Sequence, residues 1–178
     1  MSKEGFYVQK IKDGDQGAFR LFMDMYSKDL YHFALGYVNN RETAEEIVSD
    51  VFLEVWNNRQ NLHEILQIKS WLLVIVRNKA ISYLRKEHPD NTISFDEIAD
   101  YHIPLVQSPD HNIISKEEIQ KINHAISSLP PKCKEVFMLA KIEKMPYKEI
   151  AKILNISVKT INIHIAKALN HIAPILEK

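Results

Sequence analysis

The sequence predicts an all-α protein of two small helical domains joined by a linker, the C-terminal one a helix-turn-helix. Apolar residues recur near every 3.6 positions on both sides of a central gap, and no stretch alternates as a half-buried strand does. Glycine is scarce, at 4 in 178 residues, while Leu, Ile, Lys and Glu dominate, which favours helix. The gap, from about His88 to Ser115, holds Pro89, Pro104 and Pro109 among Asn, Asp and Ser. The expected boundaries are 1–87 for the first domain, 88–115 for an acidic flexible linker and 116–178 for the second domain.

Each element has its own signal. The N-terminal part reads as three or four helices. The first spans about Gln16–Val38, with Phe19, Phe22, Met23, Tyr26, Leu30, Phe33, Ala34 and Tyr37 apolar. The second starts near Thr43 and runs to about Trp56, with Thr43 as N-cap and Glu46 at capping-box spacing. The last runs from about Ser70 to Lys86. A short helical piece is expected in the linker near Phe95–Tyr101. Four helices follow, at about 116–128, 131–143, 147–154 and 158–173. Leu129-Pro130-Pro131 stops the first of these, and Pro131 suits the first turn of the next.

Composition narrows the function. Apolar residues make up 46% of the chain, which supports a packed core over disorder. The longest apolar run, Trp71–Val76, is far too short to cross a bilayer. The opening residues Met1-Ser2-Lys3-Glu4-Gly5 lack the apolar stretch of a signal peptide, so a cytoplasmic protein is expected. A lone cysteine, Cys133, excludes an internal disulfide and a cysteine-based zinc site. His164 and His171 lack a third ligand, so no metal is expected. No nucleophile–base pairing or Gly-rich phosphate loop is legible, and neither an enzyme nor a cofactor is expected.

The formal net charge of zero hides a segregation. Residues 1–86 carry 12 basic against 11 acidic side chains, 87–118 carry one against eight, and 119–178 carry ten against four. Blocks of opposite sign imply different partners, and the acidic middle should stay in water and off DNA phosphates.

Three constellations carry chemistry. On the second helix Glu42, Glu46, Asp50 and Glu54 recur every four residues and stack along one side. Like charges at that spacing cost an isolated helix about 0.2–0.5 kcal/mol per pair. They read either as a docking stripe for a basic partner or as a solvated acidic face. Residues 69–86 reverse the sign, with Lys69, Arg77, Lys79, Arg85 and Lys86 interleaved with Trp71, Asn78, Ser82 and Tyr83. Cations track phosphates, while amides and aromatic rings suit unstacked bases. The loop ahead, Asn57-Asn58-Arg59-Gln60-Asn61, offers amides to the edge of an extruded base. A solvated basic face, with Trp71 in the core, is the plainer reading.

The third constellation is the helix-turn-helix. Tyr147–Leu154 is short and amphipathic, with Ile150, Ala151 and Leu154 inward. Asn155-Ile156-Ser157 forms the turn, Asn tolerating the left-handed conformation and Ser157 capping the next helix. In that helix Val158, Ile161, Ile165, Ala168 and Ile172 share one face. The other face offers Lys159, Thr160, Asn162, Ile163, His164 and Lys167, chemistry that suits base edges and phosphates. A generic helical hairpin is the alternative.

Taken together, these pieces resemble the extracytoplasmic-function sigma factors, the compact branch of the sigma-70 family. The residues that carry the resemblance are Gly14-Asp15-x-x-Ala18-Phe19 followed by Tyr26; Ala44-Glu45-Glu46-Ile47-Val48-Ser49-Asp50-Val51-Phe52-x-x-x-Trp56; and Trp71-Leu72-x-x-Ile75-x-Arg77-Asn78-x-Ala80-x-x-Tyr83-Leu84-Arg85. Leu129-Pro130 through Val136-Phe137, Tyr147-x-Glu149-Ile150-Ala151 and Ile156-Ser157-Val158-x-Thr160-Ile161 complete it. The resemblance implies a factor that binds core RNA polymerase, recognises the −10 and −35 promoter elements and directs transcription initiation. It places Glu46, Ser49 and Asp50 against the polymerase. It places Asn58, Asn61, Lys69, Trp71, Arg77, Asn78 and Ser82 at the −10 element. Ser157, Lys159, Thr160, Asn162, Ile163, His164 and Lys167 fall at the −35 duplex. An anti-sigma factor is a further implied partner. Ser49 stands where the family has Gln, Pro146 replaces a small polar residue, and Ile163 is a bulky apolar group on the DNA face. The alternative is a stand-alone helix-turn-helix regulator that binds operator DNA as a dimer.

Overall fold

The computed structural model describes residues 3–87 and 116–177. They fall into two compact units, divided after Glu87. The linker, and the helical piece expected near Phe95–Tyr101, lie outside the described residues.

The first unit contains α1 (Lys3–Lys12), α2 (Gln16–Val38), α3 (Arg41–Asn57), a 3₁₀ turn (Arg59–Glu64) and α4 (Ile68–Glu87). The long α2 is the centre, and α1, α3 and α4 all pack against it. Its apolar stripe buries Phe22, Tyr26, Leu30, Phe33, Ala34 and Tyr37, whereas Phe19 and Met23 are half-buried at its start. Asp15 caps the helix by accepting from the Ala18 amide at 2.9 Å, and Gly14 at φ +85° supplies the left-handed turn before it.

Two features depart from the sequence reading. A helix, α1, precedes the first expected one; it inserts Val8 and Ile11 and lies against the 3₁₀ turn and α2. Tyr26 of α2 donates its hydroxyl hydrogen to the carboxylate of Glu4 in α1. The cap of α3 is Asn40, not Thr43. Asn40 is extended and accepts from the Thr43 amide at 3.1 Å, so the helix starts one turn earlier and Thr43 is buried on its inner side. An exposed amide one turn upstream made the better cap.

The second unit contains α5 (Lys116–Ser127), α6 (Pro131–Phe137), α7 (Tyr147–Leu154) and α8 (Val158–Leu176). α8 is the spine, and α5, α6 and α7 pack on it. Pro131 occupies the first turn of α6, as expected. The helix expected over 131–143 is not regular: Met138–Ile142 form a π segment, closed by the Glu143 amide on the Met138 carbonyl at 3.0 Å. Every residue from Cys133 to Ala140 is buried, so this rod runs through the interior, and no single stripe identified it. α8 continues through Pro174 to Leu176, three residues beyond the expected end.

Candidate partner and nucleic-acid interfaces

The inner face of α3 buries Ala44, Ile47, Val48, Val51, Phe52 and Val55, which turns Glu42, Glu45, Glu46, Ser49, Asp50 and Leu53 to water. Ser49 and Asp50 lie three and four residues after Glu46, and Leu53 lies four after Ser49, so the four form one exposed ridge. The ridge has two flanks. On one side Glu46 and Asp50 line a groove of about 450 Å³ shared with Ile75, Asn78, Lys79 and Ser82 of α4. On the other, Ser49 and Leu53 border a more apolar groove with Phe19, Met23, Phe52 and Trp56. Ser49 donates its hydroxyl hydrogen to the Glu45 carbonyl at 2.9 Å, a bond that keeps the side chain close to its own helix.

Arg41, at the very start of α3, is the only cation within that helix, and the acidic stripe receives another from α4. Lys79 Nζ lies 3.3 Å from Glu54 Oε2 and 3.8 Å from Asp50 Oδ2. Sequence reasoning had Lys79 among the basic residues of α4 but not as the partner of this stripe. It also passed over Leu53, which is 59% exposed. A leucine on the polar side of an amphipathic helix was the available signal.

The residues expected at opened DNA do not form one cluster. Asn78 and Ser82 are exposed and face the groove that also holds Glu46 and Asp50. Lys69 precedes Asn78 by nine residues, half a turn in phase, and so points to the other side of α4. There its ammonium bonds Asp29 of α2 at 2.7 Å. Trp71 is half-buried, as is Arg77, and neither lies in the groove. Asn58 closes α3: its amide nitrogen donates to the Glu54 carbonyl at 3.0 Å. Asn61 is exposed on the 3₁₀ turn, which the fully buried Leu62 anchors. Arg59 lies 4.8 Å over the Trp56 ring and donates to the Trp56 carbonyl at 2.9 Å.

In the helix-turn-helix Asn155 adopts the left-handed conformation, at φ 52°, and ends α7. Ser157 caps α8 by accepting from the Thr160 amide at 3.0 Å, and its hydroxyl meets that of Thr160 at 2.8 Å. Ile161, Ile165, Ala168 and Ile172 are buried, but Val158 is exposed at the helix start. Ile150 is fully buried, while Ala151 and Leu154 are half-buried at the rim. Pro146 precedes α7 and offers no side-chain acceptor, so only its carbonyl serves the first turn, through Glu149 and Ile150. Lys159, Asn162, Ile163 and Lys167 are exposed together, with Ile163 at 47%. His164 differs from them. Its ring is half-buried, with Nδ1 3.3 Å from the Cys133 sulfur on α6. Burial, then the ammonium groups of Lys167 and Lys132, holds it below the usual histidine range.

Among the described residues no group of His, Cys, Asp and Glu is arranged to hold a metal, and no helix is long and apolar enough to cross a membrane. Residues 22–89 match the family description "Sigma-70 region 2" and residues 119–172 match "Sigma-70, region 4". The chain is 32% identical over 133 residues to the ECF RNA polymerase sigma factor SigM of Bacillus subtilis, covering 75% of this chain and 79% of that protein. It is 27% identical over 165 residues to SigW of the same organism, covering 89% and 88%. Among solved structures it is similar to the sigma factor RpoE in its co-crystal structure with the anti-sigma factor NepR from Bartonella quintana. There the TM-score is 0.65 at 21% identity, covering 89% of this chain and 96% of that one.

Proposed function

We propose a division of labour within this chain, which belongs to the sigma-70 family and, within it, to the extracytoplasmic-function sigma factors. The protein is a transcription initiation factor: it binds core RNA polymerase, recognises −10 and −35 promoter elements and directs initiation. Residues 1–87 act as the domain that docks on polymerase and holds the −10 element, 88–115 as the linker, and 116–178 as the domain that lies on the −35 duplex.

The exposed ridge of α3 carries this reading. Glu46, Ser49 and Asp50 present carboxylates and a hydroxyl without burial, and the exposed Leu53 adds an apolar contact beside them. Such a surface fits a basic helical partner with an apolar residue at its centre. Asn78 and Ser82 share a groove with Glu46 and Asp50, so −10 DNA on α4 would lie beside the docked polymerase. Lys159, Thr160, Asn162, Ile163 and Lys167 meet the −35 duplex. Tethering two weak DNA contacts to one large enzyme raises their effective concentration, which is why a chain of zero formal net charge suffices. An anti-sigma factor would act by covering these same surfaces, and the place of work is the cytoplasm. Stand-alone operator binding is not favoured, because residues 22–89 match Sigma-70 region 2 alongside the region 4 match at 119–172.

Reconstitution tests the assignment. The purified chain with core polymerase should give run-off transcripts from a promoter fragment that core alone does not transcribe. The free chain should shift the same duplex weakly. Tight promoter-specific binding without polymerase would contradict it.

A further inference from the structure

His164 is the one residue of the expected −35 set whose ring is tied inward, and its partner is the chain's single cysteine. Cys133 sits in α6 at 5% exposure, 31 residues away in sequence, and its sulfur meets Nδ1 at 3.3 Å. The ring is only half-buried, with Nδ1 the nitrogen turned to the sulfur. His164 thus lies between the buried Cys133 and the exposed Ile163 and Lys167 of its own helix.

The chemistry of the pair decides what that outer nitrogen presents. Burial pushes the Cys133 thiol up, so the sulfur keeps its proton; Lys167 opposes this more weakly. His164 is held neutral by its own burial and by Lys167 and Lys132. A neutral imidazole has one donor and one acceptor nitrogen, and the partner of one sets the role of the other. Imidazole nitrogen is a better acceptor than thiol sulfur. The thiol therefore donates to Nδ1, and the proton of the ring resides on Nε2.

We infer that Cys133 is a positioning residue that locks His164 in the Nε2–H tautomer, making it a hydrogen-bond donor that reads the N7 edge of a purine in the −35 duplex. This rests on the assignment of α8 to the major groove. Purine N7 is an acceptor in both adenine and guanine, and cytosine offers only a donor at its edge, so a fixed donor discriminates between them. An unlocked ring would present donor and acceptor by turns and would discriminate less.

Two arms test this. In the full-length chain, ¹⁵N chemical shifts of the His164 ring should show protonated Nε2 and unprotonated Nδ1. Cys133→Ser, which keeps a donor, should preserve that signature, and Cys133→Val should average it. In the second arm, holoenzyme binds −35 duplexes scanned with 7-deazapurines. One position should cost the wild type and Cys133→Ser about five- to ten-fold, the size of one hydrogen bond. His164→Phe should be insensitive there, and Cys133→Val should show a smaller penalty. Protonated Nδ1 in the wild type overturns the inference. So does a scan in which no penalty depends on His164, or in which only methylphosphonate substitution does, since the donor would then serve a phosphate. If Cys133→Val does not fold, the wild-type spectrum and His164→Phe still decide. Failure to form holoenzyme would overturn the polymerase reading, and the spectroscopic arm would judge the Cys–His pair independently.

Discussion

Lys79 of α4 stands 3.8 Å from Asp50 of α3, so the helix proposed for the −10 element partly offsets the acidic charge of the helix proposed for polymerase. The same ammonium lies 3.3 Å from Glu54, closing a bridge over the groove between the two helices. Like charges along α3 would otherwise repel.

Lys79→Ala should change stability by less than about 1 kcal/mol, because the Asp50 side chain is 65% exposed and water screens the pair. It also removes an internal competitor for Asp50. Core polymerase should then associate faster at low salt, with the difference vanishing at high salt. Stopped-flow association at two ionic strengths measures this; slower association at low salt would count against Asp50 as a docking group.

Asp50→Arg places a cation in the middle of the ridge, beside Lys79. Far-ultraviolet dichroism should be unchanged, since position 50 is exposed. Co-purification with core polymerase should be lost. A variant that still co-purifies would remove α3 from the docking surface.

Ser157→Ala deletes the acceptor that satisfies the Thr160 amide. A lost cap costs about 0.5–2 kcal/mol, and the start of α8 should fray. Thermal melts should fall, while Ser157→Asp should restore them. An unchanged melt would mean that water caps the helix equally well.

Leu62→Ala empties a fully buried site under the 3₁₀ turn. The expected loss is about 2–5 kcal/mol by denaturant titration. Hydrogen exchange at Asn58 and Asn61 should rise more than at Leu30, because the turn loses its anchor. Equal changes at both places would show that the turn does not depend on Leu62.

His164 gives stability a pH dependence. Its folded value lies below the ordinary 6.5, chiefly through burial and then through Lys167 and Lys132, with the Cys133 thiol on its other side. The unfolded chain therefore takes up the proton first. Stability is full above pH 6.5 and falls as pH drops from there through the depressed folded value. His32 shifts the same way, through burial and Lys28, opposed by Asp29. His164→Phe should flatten part of the slope in melts between pH 7.5 and about 5, and His32→Phe a further part; an unaltered slope in the double variant would place the titration elsewhere.

Much of the first unit was legible because helical periodicity survives in a single strand of text. The burial of Phe22, Tyr26, Leu30 and Phe33 along α2 follows from their spacing alone. The turn at Asn155 and the cap at Ser157 were legible for a different reason: both are local, Asn155 taking the left-handed conformation with its backbone amide on the Ala151 carbonyl, and the Ser157 hydroxyl accepting from the Thr160 amide. α1 escaped notice because, among its described side chains, only Val8 and Ile11 are buried, too few to mark a stripe. The break in the rod after Phe137 was hidden by a run of burial that has no period.

What the chain's sequence determined by itself is therefore local: helix content, the two-domain order, the exposed acid stripe of α3 and the cap of α8. Only the tertiary structure decided that Lys79 answers Asp50, that Lys69 turns away to Asp29, and that His164 leans on Cys133. Periodicity reports the direction of a side chain around one helix axis. Where two such directions meet depends on how entire helices pack and cross, and no spacing along the chain records that angle.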